Sequence, residues 1–183
     1  MRFGHVAWGF ALAENMYCWG SSDHLLRRPM SDLIALAQYS HVPPGGDIDF
    51  WSEQGSYEAM LESMSSEHHI QHHQDGEEIH YHINYHGFKE LHHPGGDPDR
   101  ALHEMKLVKA GGWSLLTNNC IDQTYRILDA FGAGSALVDP RQRYRSLQLA
   151  TIIPKKWFAS AAGRSSPLEQ KIRQPQAQSI RGY

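Results

Sequence analysis

The sequence predicts an α+β fold in which a small antiparallel sheet packs against amphipathic helices. Two apolar and aromatic runs, Gly4 to Leu12 and Met16 to Ser21, are separated by the polar turn Ala13-Glu14-Asn15, as in a β-hairpin. A third run, Glu78 to Phe88, alternates apolar and polar residues as a half-buried strand does. Residues 120–131 instead repeat apolar side chains at helical spacing. One chain therefore carries both periodicities.

Clear breaks divide the rest of the chain into further short elements. Helices are predicted at Asp32 to Gln38, Ser56 to Met64 and Asp99 to Ala110, and another strand is predicted at Leu147 to Ile153. The clearest break is Pro43-Pro44-Gly45-Gly46. We expect one domain over residues 1–158, with a histidine-rich insert at about 66–94. Residues 159–183 are rich in Ser, Gln, Arg and Pro, which predicts a flexible polar tail.

The composition argues against several classes of protein. The formal net charge is −3 at pH 7 and the isoelectric point is near neutral, so the charge does not favour nucleic acid or an anionic membrane as a partner. No apolar stretch is long enough to span a bilayer. Two cysteines are too few for a disulfide framework and fit a reducing site of synthesis. We expect a cytoplasmic protein in the producing cell, with no cofactor.

The first residues loosely resemble a signal peptide. Arg2 precedes the apolar run Val6 to Leu12, and Ala11-Leu12-Ala13 has the small-residue pattern of a cleavage site. The run is short and contains Gly9, which favours a strand over a leader. The choice matters because cleavage after Ala13 would remove His5.

Cys120 is the strongest candidate for chemistry. An apolar run ends at Asn118 and Asn119, the cysteine follows, and an amphipathic helix then continues to Gly132. A thiol in the first turn of a helix meets the positive end of the helix dipole and unpaired N–H groups, which favour the thiolate. Asn119 fits the N-cap position, with Asp122 completing a capping box. The alternative is a buried cysteine that only fills space.

A thiolate nucleophile needs a base, and His5 on the first strand is the candidate. If the hairpin turn centres on Glu14, His5 lies opposite Asp23, and a shift of one residue brings His24 there instead. Either residue can orient the imidazole, and Asp23 is preferred because a carboxylate also stabilises the imidazolium. The same register places Cys18 on the face opposite His5, in the core. The alternative is that His5 is an ordinary strand residue and Asp23 a solvated acid.

The oxyanion of an acyl-transfer intermediate also needs donors. The backbone N–H of Cys120 and an amide from Asn118 or Asn119 are the candidates. A role for Asn119 as helix cap alone is an equally open alternative.

A Gly-His strand and hairpin followed late in the chain by an Asn-Cys helix resembles the circularly permuted papain-like hydrolases of the NlpC and lecithin-retinol-acyltransferase type. The resemblance covers Phe3 to His24 and Trp113 to Gly132. It implies a papain-like core, with Cys120 as nucleophile, His5 as base and Asp23 or His24 as third member. It also implies cleavage or transfer of an amide, peptide or acyl bond through a thioester. The long insert departs from the smallest members and leaves the substrate open.

A small permuted cysteine hydrolase that has no convincing signal peptide also resembles some bacterial type VI secretion effectors. That analogy implies a virulence or toxin role, secretion without a signal peptide, and partners in the secretion apparatus or a cognate immunity protein. The expected substrate is a peptide, peptidoglycan or protein. The rival hypothesis is a non-catalytic binding protein on a hydrolase-like scaffold.

The histidine-rich insert gives a third hypothesis, a metal-binding module. If the segment is helical, His68 and His72 are four residues apart, while His80 and His82 share one strand face. Both spacings suit Zn²⁺, Ni²⁺ or Cu²⁺. No HExxH or Cys/His finger pattern is present, so we expect a polar, pH-sensitive surface rather than a metal site.

Overall fold

The computed structural model describes residues 5–24, 41–46, 48–65, 72–74, 77–79, 85–142 and 153–168, without the side chains of Asp23, His24, Asp49 and residues 72–79. Within these ranges the protein is a mixed fold of helices and antiparallel strands. The predicted helix Asp32 to Gln38 and almost all of the predicted strand Leu147 to Ile153 lie outside the described residues. In chain order the elements are β1 (Trp8–Ala13), β2 (Met16–His24), β3 (Ile48–Gly55), α1 (Tyr57–Ser65), β4 (His72–Gln74), β5 (Glu77–Ile79), β6 (Gly87–Lys89), α2 (Pro98–Ala110), α3 (Cys120–Phe131), α4 (Pro154–Ser160) and β7 (Ser165–Pro167).

The N-terminal hairpin forms in the register expected for a turn centred on Glu14. Strands β1 and β2 are antiparallel, with Trp8 paired to Gly20 and Phe10 to Cys18. Asn15 completes the turn with a positive φ of 52°, a conformation that asparagine tolerates well. The predicted pairing is confirmed from Trp8 to Ala11, but the ladder does not reach His5, so it does not show the predicted position of His5 opposite Asp23.

Strand β3 was not predicted, yet it completes the principal sheet in the order β1-β2-β3. It runs antiparallel to β2, so that Ser22 pairs with Phe50 and Gly20 with Ser52. Its sequence contains several polar residues, and among its described side chains only Ile48 and Phe50 are buried. A side chain at Gly20 would strike the Trp51 carbonyl oxygen and the Trp8 ring, so the close strand approach requires glycine there.

The two faces of the sheet pack against different parts of the chain. On the helix-facing side, Trp8, Phe10 and Cys18 form one core with residues of α2 and with Ile127 of α3. On the opposite side, Trp19 packs with Met64, Tyr85 and Leu168. The alternation of neighbouring residues between two cores is what the period of a β-strand dictates.

Helices α1, α2 and α3 begin and end close to the predicted positions, whereas α4 was not predicted. Helix α1 starts after Ser56, whose hydroxyl accepts the N–H of Ala59, and α2 starts after Asp97, whose carboxylate accepts the N–H of Arg100. Helix α3 ends at Gly132, where φ is +114°, a left-handed conformation suited to glycine.

Two later segments differ from the sequence expectation. The described ends of the predicted strand Glu78 to Phe88 belong to separate two-stranded sheets, because β5 pairs with β4 and β6 pairs with β7. Strand β7 lies beyond residue 158, and Leu168 after it is buried. The fold therefore extends into the segment expected to be a tail.

The cap of α3 gives a prediction for stability. Asn119→Ala removes the oxygen that accepts two main-chain N–H groups at a buried helix end, so we expect a loss of about 1–2 kcal/mol in the free energy of unfolding. Urea denaturation measures this loss. Asn119→Ser, which restores a capping oxygen, is the matched control and is expected to recover most of the loss. Equal stability of the alanine variant and the native protein would contradict the capping role.

Candidate functional site

Cys120 is the first residue of α3, and the chain before it is arranged as a complete capping box. Asn119 Oδ1 accepts the N–H groups of Ile121 and Asp122 at 2.9 and 3.2 Å. Asp122 Oδ2 in turn accepts the Asn119 N–H at 3.1 Å. Among the described residues, no acceptor is hydrogen-bonded to the N–H of Cys120. The predicted capping box is confirmed, and it leaves this N–H as a donor beside the thiol.

A buried glutamine ties the start of α3 to the sheet. Gln123 is only 2 % exposed, and its Nε2 donates to the carbonyl oxygens of Gly112 and Asn118 at 3.2 and 3.0 Å. Its Oε1 accepts the Ser22 hydroxyl of β2. Since an unsatisfied buried amide is costly, these three bonds fix both the helix end and the loop that precedes it.

The two asparagines before Cys120 serve the same local structure. Asn118 Nδ2 donates to Gly112 O at 2.6 Å, and Asn118 Oδ1 accepts Arg126 at 3.2 Å. Arg126 also pairs with Glu104 of α2 at 2.6 Å. Asn119 Nδ2 donates to the Leu115 carbonyl at 2.8 Å. The side-chain amides of Asn118 and Asn119 both donate to main-chain carbonyls, and the geometry gives Asn119 the capping role.

The thiol of Cys120 lies in apolar surroundings. The residue is 8 % exposed and packs with Val6, Ile121, Tyr125 and Trp157. The Trp157 indole N–H donates to the Val138 carbonyl at 2.7 Å, which holds α4 against this cluster. Val6 is the immediate neighbour of His5, so the segment before β1 packs against the cluster that contains Cys120.

The His5 ring, however, lies on the other side of the chain. Its Nε2 is 2.6 Å from Ser21 Oγ, and its centroid is 5.9 Å from that of Tyr85. Ala7 packs into the same core as Tyr85, whereas Val6 packs with Cys120. The described contacts bring His5 together with Ser21 and do not bring its ring to the thiol.

The two candidates for the third member are placed only by their backbone. Asp23 and His24 pair with Asp49 and Ile48 of β3, and their side chains lie outside the described residues. The ladder between β1 and β2 starts at Trp8, three residues after His5. Sequence analysis missed Ser21, although it occupies a position two residues from Asp23 and hence of the same strand parity.

Cys18 has the environment expected of a core residue. It is fully buried, and its sulfur is 3.8 Å from that of Met105. Burial raises the pKa of the Cys18 thiol to about 11, although a hydrogen bond with Gln54 partly opposes the rise. The thiol therefore stays protonated at neutral pH.

A polar cleft of about 410 Å³ lies along α3 on a different face from Cys120. Asp122, Tyr125, Arg126 and Asp129 line it at successive helical positions of one stripe. Arg141 closes one end, paired with Asp139 at 2.8 Å and placed 5.8 Å above the Tyr125 ring. The lining charges of both signs largely balance, so the cleft has no evident preference for an anion or a cation.

The metal hypothesis lies almost wholly outside the described residues. His68, His80 and His82 are not described, and of His72 only the backbone is described, in β4. Within the described ranges no group of three or more His, Cys, Asp or Glu side chains could hold a metal ion. Among the same residues, no helix is both long and apolar enough to cross a membrane.

Comparisons with known proteins give no match to any family model, curated protein or solved structure. The resemblance to permuted papain-like hydrolases, and with it the secretion-effector analogy, stays a prediction from the residues quoted above.

The buried network at the start of α3 is testable by a double-mutant cycle. Gln123→Met keeps the side-chain volume but leaves the hydrogen-bond partners of the amide unsatisfied. We therefore expect a loss of about 3 kcal/mol in the free energy of unfolding. Ser22→Ala removes one of the three bonds and is expected to cost about 1 kcal/mol. Because the two residues share a hydrogen bond, the double variant is expected to lose less unfolding free energy than the two single variants together, as measured by urea denaturation. Strict additivity would show that they do not interact.

Proposed function

We propose that the protein is a cysteine hydrolase or acyltransferase with a papain-like core, acting on an amide, peptide or related acyl bond. The observation that carries the proposal is the position of Cys120 at the start of a rigidly capped helix, beside its own N–H without a hydrogen-bonded acceptor among the described residues. Nucleophile and oxyanion donor then belong to the same residue, which is a favourable arrangement for acyl transfer.

The chemistry requires few groups. The Cys120 thiolate adds to the substrate carbonyl, and the negative charge that develops on oxygen is stabilised by the Cys120 N–H and the end of the helix dipole. The leaving amine takes the proton that His5 removed from the thiol, and a thioester forms. Water, or another acyl acceptor, then releases the acyl group and regenerates the thiol, with His5 as base.

The rigidity of the helix start supports this role. An oxyanion donor is useful only if it does not reorient during the reaction. The Asn119–Asp122 capping box and the Gln123 amide fix the backbone on both sides of Cys120. The polar side chains that bond to the main chain at the helix start thus supply preorganisation rather than direct contact with substrate.

His5 is proposed as the base, which requires its ring to reach the Cys120 thiol. Val6 already contacts the Cys120 cluster, so the backbone of His5 is close to the thiol. The ring itself is bonded to Ser21 on the opposite side of the sheet. Proton transfer requires the imidazole to reach the helix-facing side. Peptides, peptidoglycan and protein side chains remain the candidate substrates.

A second candidate is a non-catalytic binding protein on the same scaffold. The separation of the His5 ring from the Cys120 thiol favours it, since an inert scaffold needs no contact between the two. The two candidates differ in what the thiol is expected to do.

Thiol reactivity tests the proposal without a known substrate. At neutral pH we expect iodoacetamide to modify Cys120 and to spare Cys18, because Cys18 is fully buried and its pKa is raised to about 11. Peptide mass spectrometry of the native protein measures both rates. His5→Ala is expected to slow labelling of Cys120, and Cys18 serves as the internal control for unfolding. Equal and slow labelling of the two cysteines would favour the binding protein.

Once the native protein has been shown to hydrolyse one class of substrate, Cys120→Ala tests whether the thiol is required for that turnover. We expect complete loss of hydrolysis of peptide or peptidoglycan fragments from a protein that is still folded, because alanine keeps the helix start intact and removes only one buried sulfur atom. A fully active alanine variant would rule out covalent catalysis by this residue.

A further inference from the structure

Thr124 is a polar residue on the buried face of α3. It is only 2 % exposed, and its hydroxyl oxygen Oγ1 has no hydrogen-bond partner in the part of the chain that the structure describes. Ile121 of the Cys120 cluster and Ile127 of the core between sheet and helices lie on the same face, before and after it. Because an unpaired hydroxyl in apolar surroundings lowers the stability of a fold, a threonine at this position is unfavourable for stability alone.

The usual partners of a helical threonine do not account for this hydroxyl. Such a hydroxyl commonly donates to the main-chain carbonyl one turn earlier in the helix, which here belongs to Cys120. Thr124 Oγ1 makes no such bond among the described residues. The side-chain oxygen in the Cys120 cluster is that of Tyr125, and the Tyr125 hydroxyl is hydrogen-bonded to Arg141 at the polar cleft instead.

The side chain of Cys120 lies where it can provide the acceptor. Residues four apart on a helix are neighbours, with ~5–6 Å between their Cβ atoms, and helical side chains lean toward the helix start. The Thr124 side chain therefore leans toward Cys120, while Ile121 on the same turn offers no acceptor. A protonated thiol is a weak acceptor, whereas a charged thiolate accepts strongly. The hydroxyl is thus unpaired beside the neutral thiol and gains an acceptor when the thiol ionises.

We infer that Thr124 stabilises the Cys120 thiolate by donating a hydrogen bond from its hydroxyl to the sulfur. The inference rests on the proposed function for the role of that thiolate. When the thiol proton passes to the base, the Thr124 hydroxyl changes from an unpaired buried donor into the partner of a negative charge. The hydroxyl and the positive end of the helix dipole then act on the same atom.

Thr124→Val is the direct test, because valine has nearly the same shape and lacks the hydroxyl. We expect iodoacetamide to modify Cys120 roughly tenfold more slowly at pH 7 in this variant, since less of the thiol is ionised. Thr124→Ser keeps the hydroxyl and is the matched control, with a rate expected within about twofold of the native rate. An unchanged rate in Thr124→Val, or equal slowing in both variants, would overturn the inference.

The dependence of the rate on pH separates ionisation of the thiol from access to it. At about pH 10 an ordinary thiol is ionised, so the rates of the native protein and Thr124→Val are expected to converge. Cys18 is fully buried, so its labelling would reveal loosening of the core. A difference that persists at this pH, or that comes with faster labelling of Cys18, would also count against the hydrogen bond.

A purely structural role for the hydroxyl predicts the opposite change in stability. Because the hydroxyl is unpaired beside the neutral thiol, Thr124→Val is expected to raise the urea midpoint of unfolding at pH 7 while it slows alkylation. A less stable Thr124→Val would mean that the hydroxyl already has a partner in the native protein, and it would overturn the inference.

The ultraviolet absorbance of the thiolate separates this inference from the proposed function. With Cys120→Ala as the blank, a pH titration follows ionisation of Cys120 whether or not any substrate is hydrolysed. Ionisation at lower pH in the native protein than in Thr124→Val, without hydrolysis of any acyl substrate, would support the hydrogen bond and contradict the proposed hydrolase. Hydrolysis that requires Cys120, with no difference in ionisation between the two proteins, would contradict the hydrogen bond alone.

Discussion

The buried start of α3 is the constraint on which the candidate site depends. A helix that begins inside a protein exposes four N–H groups to surroundings without water, and each needs an acceptor. Here Asn119 supplies the acceptor for two of them, and the main chain around the helix start is fixed by Gln123. Of these four groups, only the N–H of Cys120 has no hydrogen-bonded acceptor among the described residues. An N–H at the start of a helix is satisfied either by water or by a bound group.

The sequence predicted what depends on local chemistry. The capping box, the glycine stop of α3 and the hairpin register follow from residue types at fixed spacing, so Asn119, Gly132 and the Glu14 turn could be assigned from the sequence. Burial of Cys18 followed from the same register. These features need only a few neighbouring residues to define them.

The sequence could not predict what depends on distant packing. Strand β3 has too few apolar residues to be recognised from its sequence. It is stabilised by pairing with the edge of β2 that β1 does not occupy. The hydrogen bond between Ser22 and Gln123 joins residues far apart in the chain, and the local sequence around neither residue predicts it. The position of the His5 ring is the sharpest case. Register arguments fix which residues are paired, but His5 precedes the first ladder pair, where the register no longer applies.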